Sequence, residues 1–302
     1  MRAQALFLVA LAALPLELAA QWPSYHTANV PRTPDGKPIL DGPTPKTLDG
    51  KPDLSGLWEY RGLGNPGGGR GGRGNAGAAP ASTPPAPPPP TPPPPVPGAS
   101  TGLGPRPRGP NQFFNIGSTV PGGLPFTPWA EELRKQRASE NNKDNPDAHC
   151  LPLGLMQLHT HPQPRKIIQT PGVIVILYEA QGGIRQIFTD GRALPKPDAQ
   201  PWWFGYSIGH WEGDTLVVET TGFRDDVWLD VEGSPLTNTG KMTERFRRPN
   251  YGSLEMAITV EDPKAYTKPW TVNITQRIYP DEELIEFICN ENDRSGPHLV
   301  GK

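Results

Sequence analysis

Only two cysteines, Cys150 and Cys289, and six histidines occur in 302 residues, which leaves little material for a metal cluster. The chain has no G-x-S-x-G elbow, phosphate-binding glycine loop, dinucleotide fingerprint or H-E-x-x-H helix, which argues against the readily recognised hydrolases, kinases and Rossmann enzymes. It also lacks a surplus of charge. With 29 Lys+Arg against 31 Asp+Glu the net charge is −2, so no whole-molecule argument exists for a nucleic-acid partner or a polybasic membrane surface. No apolar run reaches the roughly 20 residues a bilayer requires. What the chain has in excess is proline, 41 residues, and glycine, 34, and they are unevenly spread. Between Gly62 and Pro110 there are 13 Gly and 16 Pro.

These compositional breaks divide the chain. Arg2, the apolar run Ala5–Leu16 and the small residues Ala19-Ala20 fit a cleavable secretory signal over 1–20, which implies a secreted or periplasmic location. Turn-rich sequence and a first strand follow over 21–61. Residues 62–110 read as a disordered Gly/Pro-rich linker, flexible in its glycine half and polyproline II in its proline half. A β-rich domain occupies 111–302 and is completed by the strand at 54–60. In an oxidising compartment an even pair of cysteines predicts a disulfide, Cys150 to Cys289.

Before the linker, Thr33-Pro34-Asp35-Gly36-Lys37-Pro38 and Thr47-Leu48-Asp49-Gly50-Lys51-Pro52 repeat one phrase fourteen residues apart. Each Asp-Gly is a turn signal, and two copies are too few for a solenoid. Thr127-Pro128-Trp129 followed by Glu131-Glu132 predicts one short helix over about 128–140, with Thr as N-cap and acids at the positive dipole end. From Ile167 onward the pattern is strands. Val173–Tyr178 is continuous and β-branched, as expected for burial on both faces, whereas Leu254–Val260 and Trp270–Ile278 alternate cleanly. With Ile184–Thr189, Ser207–Trp211, Thr215–Thr221, Lys241–Arg247 and Leu284–Cys289, they make an antiparallel meander of eight or nine strands. The expected fold is mainly β, a closed or partly open barrel, with a two-sheet sandwich as the alternative.

The stretches Asp49-Gly50-Lys51-Pro52-Asp53-Leu54-Ser55-Gly56-Leu57-Trp58 and Trp211-Glu212-Gly213-Asp214-Thr215-Leu216-Val217-Val218-Glu219-Thr220 resemble a large family of uncharacterised secreted bacterial proteins. Thr243–Arg248, Asp262–Trp270 and Cys289–Asn292 share the likeness, which covers about 47–61 and 146–302 and implies no activity. Ser55-Gly56-Leu57-Trp58 is also similar to the opening of lipocalin-like barrels. That resemblance implies a barrel whose Trp closes one end while a ligand fills the other.

Candidate site residues follow from residue type and position. His159 and His161 form an i, i+2 pair that would present two imidazoles to one strand face, but two ligands do not make a metal site, and Pro162 and Pro164 point to a solvated loop. Glu219, Glu244 and Glu286 interrupt apolar strand runs, and Arg185 and Arg245 occupy comparable positions. If they face one interior they line a polar pocket in which carboxylates, with His210, serve as acid and base. On the outer face they form cross-strand pairs. Trp202, Trp203 and Phe204 lie among prolines in a loop, where they would rim the mouth of a ligand cavity.

Three function classes remain. The first is an exported β-barrel that binds a small apolar or aromatic molecule. The second is an enzyme using carboxylate and His210 chemistry in the barrel pocket, and the third is a structural envelope protein. None calls for a cofactor, a nucleic acid or a membrane span.

Overall fold

The computed structural model describes residues 26–63, 116–289 and 291. The signal peptide expected over 1–20 lies outside the described residues, as does all but the first two residues of the linker expected over 62–110.

Nine strands close into a barrel in the order β1-β11-β10-β9-β6-β5-β4-β3-β2, with β1 pairing back to β2. They are β1 (Gly56–Leu63), β2 (Arg165–Thr170), β3 (Val173–Tyr178), β4 (Ile184–Phe188), β5 (Tyr206–Glu212), β6 (Thr215–Thr221), β9 (Lys241–Asn250), β10 (Ser253–Glu261) and β11 (Trp270–Ile278). The short pair β7 (Val227–Trp228) and β8 (Pro235–Leu236) forms a separate two-stranded sheet in the excursion between β6 and β9. Full closure removes the exposed edges that a sandwich would leave. All neighbours are antiparallel except β4 and β5, which run parallel and pair only at Ile187–Ser207 and Phe188–Ile208. The expected meander therefore holds except at this narrow seam.

Side chains alternate between lumen and surface. On β10, Leu254, Met256, Ile258 and Val260 are buried and face Gln276, Ile274, Val272 and Trp270 of β11 in register. Strand β3, expected to be covered on both faces, alternates instead: Ile174, Ile176 and Tyr178 are buried, whereas Val173, Val175 and Leu177 are half-exposed. Its continuous apolar run reflects Val173, Val175 and Leu177 on the outer face of the barrel, which the described residues cover only in part. Leu284–Cys289, expected as a strand, joins no ladder. It lies on the surface without regular structure, with Ile285, Phe287 and Ile288 exposed, because the barrel closes through β1 and leaves no edge for it. Cys289 is nevertheless bonded to Cys150, as expected.

The connections define two ends. The β2–β3, β5–β6 and β9–β10 hairpins turn at one end, which the segment 26–54 crosses as a strap. Along it, Gly252 N–H bonds Leu40 O (2.7 Å), Thr44 Oγ1 donates to Arg248 O (2.8 Å) and Lys46 pairs with Asp214 (2.8 Å). Both repeated turns lie in this strap, each closed by an isolated bridge, Arg32 to Pro38 and Lys46 to Pro52.

The opposite end receives α2 (Leu155–Thr160), a six-residue helix with every side chain buried. The expected helix is present as α1 (Pro128–Ser139), capped by Thr127, whose hydroxyl accepts the Ala130 N–H. α2 has no signature in the sequence, because it is too short to show a helical period and ends just before the prolines that follow His161. Its entry depends on Gly154, where a Cβ would lie 2.1 Å from Trp228 O and 2.9 Å from Val227 Cγ1. Gly154→Ala is expected to destabilise the fold by about 3 kcal/mol through overpacking, read from the urea midpoint. An unchanged midpoint would mean that α2 is not seated on this strand pair.

Candidate functional site

The lumen beneath α2 is polar. Glu244 on β9, Arg185 on β4 and His159 on α2 meet there, all almost wholly buried. His159 Nε2 lies 2.8 Å from Glu244 Oε1, and Arg185 Nη1 donates to the same oxygen at 3.0 Å while its Nη2 holds Oε2. Arg185 also donates to Ser207 Oγ at 3.0 and 3.1 Å and to Thr220 Oγ1 at 3.0 Å. Ser207 and Thr220 belong to β5 and β6, so the guanidinium spans the seam where the β4–β5 ladder is only two pairs long. The side chain supplies cross-strand bonds where the backbone supplies few.

Electrostatics follow from this geometry. Burial pushes the Glu244 carboxyl up, but the Arg185 charge and the His159 hydrogen bond overcome it and hold the pKa at about 2. Burial lowers His159, and Glu244 only partly opposes it, so the imidazole is neutral and its Nε2–H donates to the carboxylate. His159 Nδ1 carries no hydrogen bond, and the ring stands edge-on to Tyr178 and Phe246 with centroids 6.0 and 6.2 Å away. Burial and the nearby Arg165 lower His161 to about 4. Arg165, itself buried, donates to His159 O at 2.6 Å, His161 O at 3.1 Å and Gln163 O at 3.2 Å, which fastens the end of α2. Among the described residues no cluster of three or more metal-ligating side chains occurs.

The residues nominated from sequence therefore scatter. Glu244 and Arg185 face the lumen as the pocket reading required, and His159 joins them from a buried helix rather than a solvated loop. Glu219 points outward, half-buried, and pairs with Lys241. Glu286 is exposed on the extended tail. Arg245 is exposed on the outer face of β9 and bonds Glu212 at 2.7 Å, and the exposed His210 lies 3.3 Å from the same carboxylate group. The expected convergence of carboxylates, Arg245 and His210 inside the barrel does not occur. On β6 Leu216, Val217 and Val218 are apolar at both parities, which hid the face of Glu219 from sequence, whereas on β9 Glu244 shares the parity of the buried Met242 and Phe246.

The aromatic triplet does not form one mouth. Trp202 lies on the surface against Tyr206 (5.3 Å), Trp203 packs beneath the Arg224 guanidinium (4.4 Å), and Phe204 turns toward Tyr178 (6.5 Å). A three-residue loop segment cannot direct successive side chains the same way, so the three rings serve three contacts.

A concave site lies instead at the strap end. A cleft of about 520 Å³ opens between the second repeated turn and the rim of the barrel, lined by Leu48, Asp49, Gln169, Ile174, Thr189 and Trp211 among others. Ile174 is buried and lumen-facing, and Trp211 shares its parity on β5 with Ser207 and Gly209. At Gly209, two residues before Trp211, a Cβ would meet Ile187 Cγ2 at 3.0 Å. Leu48, on the turn above, is fully exposed. Family models, curated proteins and solved structures all give no match to the chain.

Leu48, Asp49 and Trp211 are not among the site residues nominated from sequence. The signal was present in the repeat, where an apolar tip replaces Pro34. Which part of the barrel that tip would face was not legible.

Proposed function

We propose that this protein is an exported β-barrel that binds a small molecule in the strap-end cleft. The observation that carries the reading is Leu48, an apolar side chain held in solvent over an apolar cleft. The cleft volume of about 520 Å³ falls within the usual range for small-molecule sites, about 300–1,000 Å³. A bound apolar body would cover Leu48 and Trp211 together. Export is supported by the Cys150–Cys289 disulfide, which suits an oxidising compartment, and by the secretory pattern of residues 1–20. The likeness of its motifs to secreted bacterial proteins points the same way.

The enzyme reading loses its constellation, since Glu244 and His159 are sealed beneath α2 and the other candidates lie outside. A structural role is the second reading. It is favoured by the filled lumen, where Trp58, Phe246, Met256 and Ile274 are buried among the charged groups.

Titration with N-phenyl-1-naphthylamine, a neutral aromatic probe, separates the two. Saturable binding with quenching of tryptophan fluorescence is expected. Leu48→Ser should weaken it about tenfold, roughly half the effect of fully burying a leucine, and leave the thermal midpoint within about one degree because the wild-type side chain is already in water. Absence of saturable binding, or equal binding by the variant, would favour the structural reading.

A further inference from the structure

The turns at 33–37 and 47–51 are two copies of one structure that differ where the second meets the cleft. In each, the Thr N–H bonds the Lys carbonyl (Thr33 to Lys37 and Thr47 to Lys51, both 2.9 Å). In each, the Gly N–H bonds the Thr carbonyl (2.9 Å for both Gly36 and Gly50), and the Thr hydroxyl donates to the Asp carboxylate. The backbones and the Thr–Asp contacts are thus equivalent, and the side-chain surroundings are not. In the first copy Lys37 Nζ closes on Asp35 at 2.7 Å. In the second, Asp49 forms no close ion pair among the described residues, the Lys51 charge acts on it only at longer range, and Lys51 does not line the cleft. The tip is Pro34 in the first copy and Leu48 in the second. Both departures, the carboxylate without a close ion pair and the apolar tip, lie in the lining of the same cleft.

The other polar side chains there are mostly committed to the protein itself. Gln169 Oε1 accepts the Leu54 N–H at 2.9 Å and its Nε2 donates to Pro52 O at 3.1 Å. Thr170 Oγ1 donates to Val173 O at 2.7 Å. Thr47 spends its hydroxyl on Asp49, and that bond lowers the Asp49 carboxyl below its ordinary value, so it is ionised at neutral pH. Beyond the Thr189 hydroxyl, the cleft offers a ligand an anionic acceptor beside Leu48, Ile174 and the Trp211 ring.

We propose that the cleft selects organic cations: molecules with an apolar or aromatic body, packed between Leu48 and Trp211, and a protonated amine paired with the Asp49 carboxylate. The ring adds to the same preference, since an aromatic face attracts a cation. This rests on the reading of the cleft as the binding site and narrows it to one ligand chemistry. A rim carboxylate in water contributes modestly, so the preference is a matter of about tenfold rather than thousands, and salt screens it.

The test compares two probes of similar shape and opposite charge, 2-(1-naphthyl)ethylammonium and 3-(1-naphthyl)propionate, with the neutral probe as reference, at pH 7 and low salt. The expected result is about tenfold tighter binding of the ammonium than of the carboxylate. Asp49→Asn should erase that difference while leaving the affinity for the neutral probe unchanged, and Asp35→Asn, the same change in the other copy, should leave the difference intact. Equal or tighter binding of the carboxylate, or a preference that survives Asp49→Asn, would overturn the cation assignment and leave the cleft as a binding site. Failure of all three probes to bind saturably would overturn both.

Discussion

Replacing Arg185 with methionine is expected to destabilise the protein by about 3–5 kcal/mol, the usual result of removing one partner of a buried ion pair. Two effects combine. Glu244 would be left with only a neutral imidazole inside the barrel, and the β4–β5 seam would lose the guanidinium that reaches Ser207 and Thr220. The double variant Arg185→Met, Glu244→Leu should recover much of the loss, because the buried charge goes with its partner. If the double variant is no better than the single one, the seam contacts dominate and the ion pair is secondary.

The same cluster sets the acid response. Glu244 has its folded pKa depressed from 4.5 to about 2, so its contribution is complete above pH 4.5 and is lost as pH falls toward 2. His159 and His161 are both depressed from 6.5, and neutral buried imidazoles favour the unfolded, protonated chain as pH drops below that value. Stability should therefore decline from pH 6.5 downward and steepen below 4.5. In Arg185→Met the burial of Glu244 is no longer opposed by the guanidinium, so the steep part below pH 4.5 should flatten. Denaturant midpoints measured across this range check the sign.

Loss of the disulfide in Cys289→Ser is expected to cost about 3 kcal/mol, less than its loop length suggests. Cys150 and Cys289 are 139 residues apart, and closing such a loop in the unfolded chain costs about 5 kcal/mol in the chain-entropy account. The native state bears part of that cost as well. Beyond Glu283, held by Lys166 at 2.7 Å, the described part of the tail is tied to the barrel by a hydrogen bond from Ile285 N–H to Glu179 Oε2 at 3.2 Å, and Ile285, Phe287 and Ile288 lie in solvent. Without the bond the last few residues would come free in the folded protein too, which returns about 2 kcal/mol of closure entropy. A loss near 5 kcal/mol would show that the tail packs more firmly than its exposure indicates.

The barrel was legible because its strands carry their own instructions. Clean period-two alternation on β10 and β11 fixes both face and register, and Glu-Gly-Asp at 212–214 fixes the β5–β6 hairpin. What was hidden depends on contacts distant in sequence. The parallel β4–β5 pair has no local signature, and neither does the outward face of Glu219, since Leu216, Val217 and Val218 before it are apolar at both parities; Glu244, by contrast, shares the parity of Met242 and Phe246. His159 looked like a loop histidine because the helix that buries it is shorter than two turns. Leu284–Cys289 looked like a strand because its side chains have strand character, yet closure of the barrel removes the edge it would need. The cleft was hidden for a further reason: it forms where a turn from one end of the chain lies over strands more than a hundred residues away.

The central claim is that ligands enter at the strap end beside Trp211 and not at the loop carrying Trp202 and Trp203. Indole ¹H–¹⁵N spectra of the uniformly labelled protein report the tryptophans individually, eight in the full chain, with Trp211→Phe supplying the assignment. On titration with the neutral naphthylamine probe, the Trp211 resonance should move saturably while those of Trp202, Trp203 and the buried Trp58 and Trp228 stay in place. Movement of Trp202 or Trp203 with Trp211 unchanged, or no movement at all, would contradict the account.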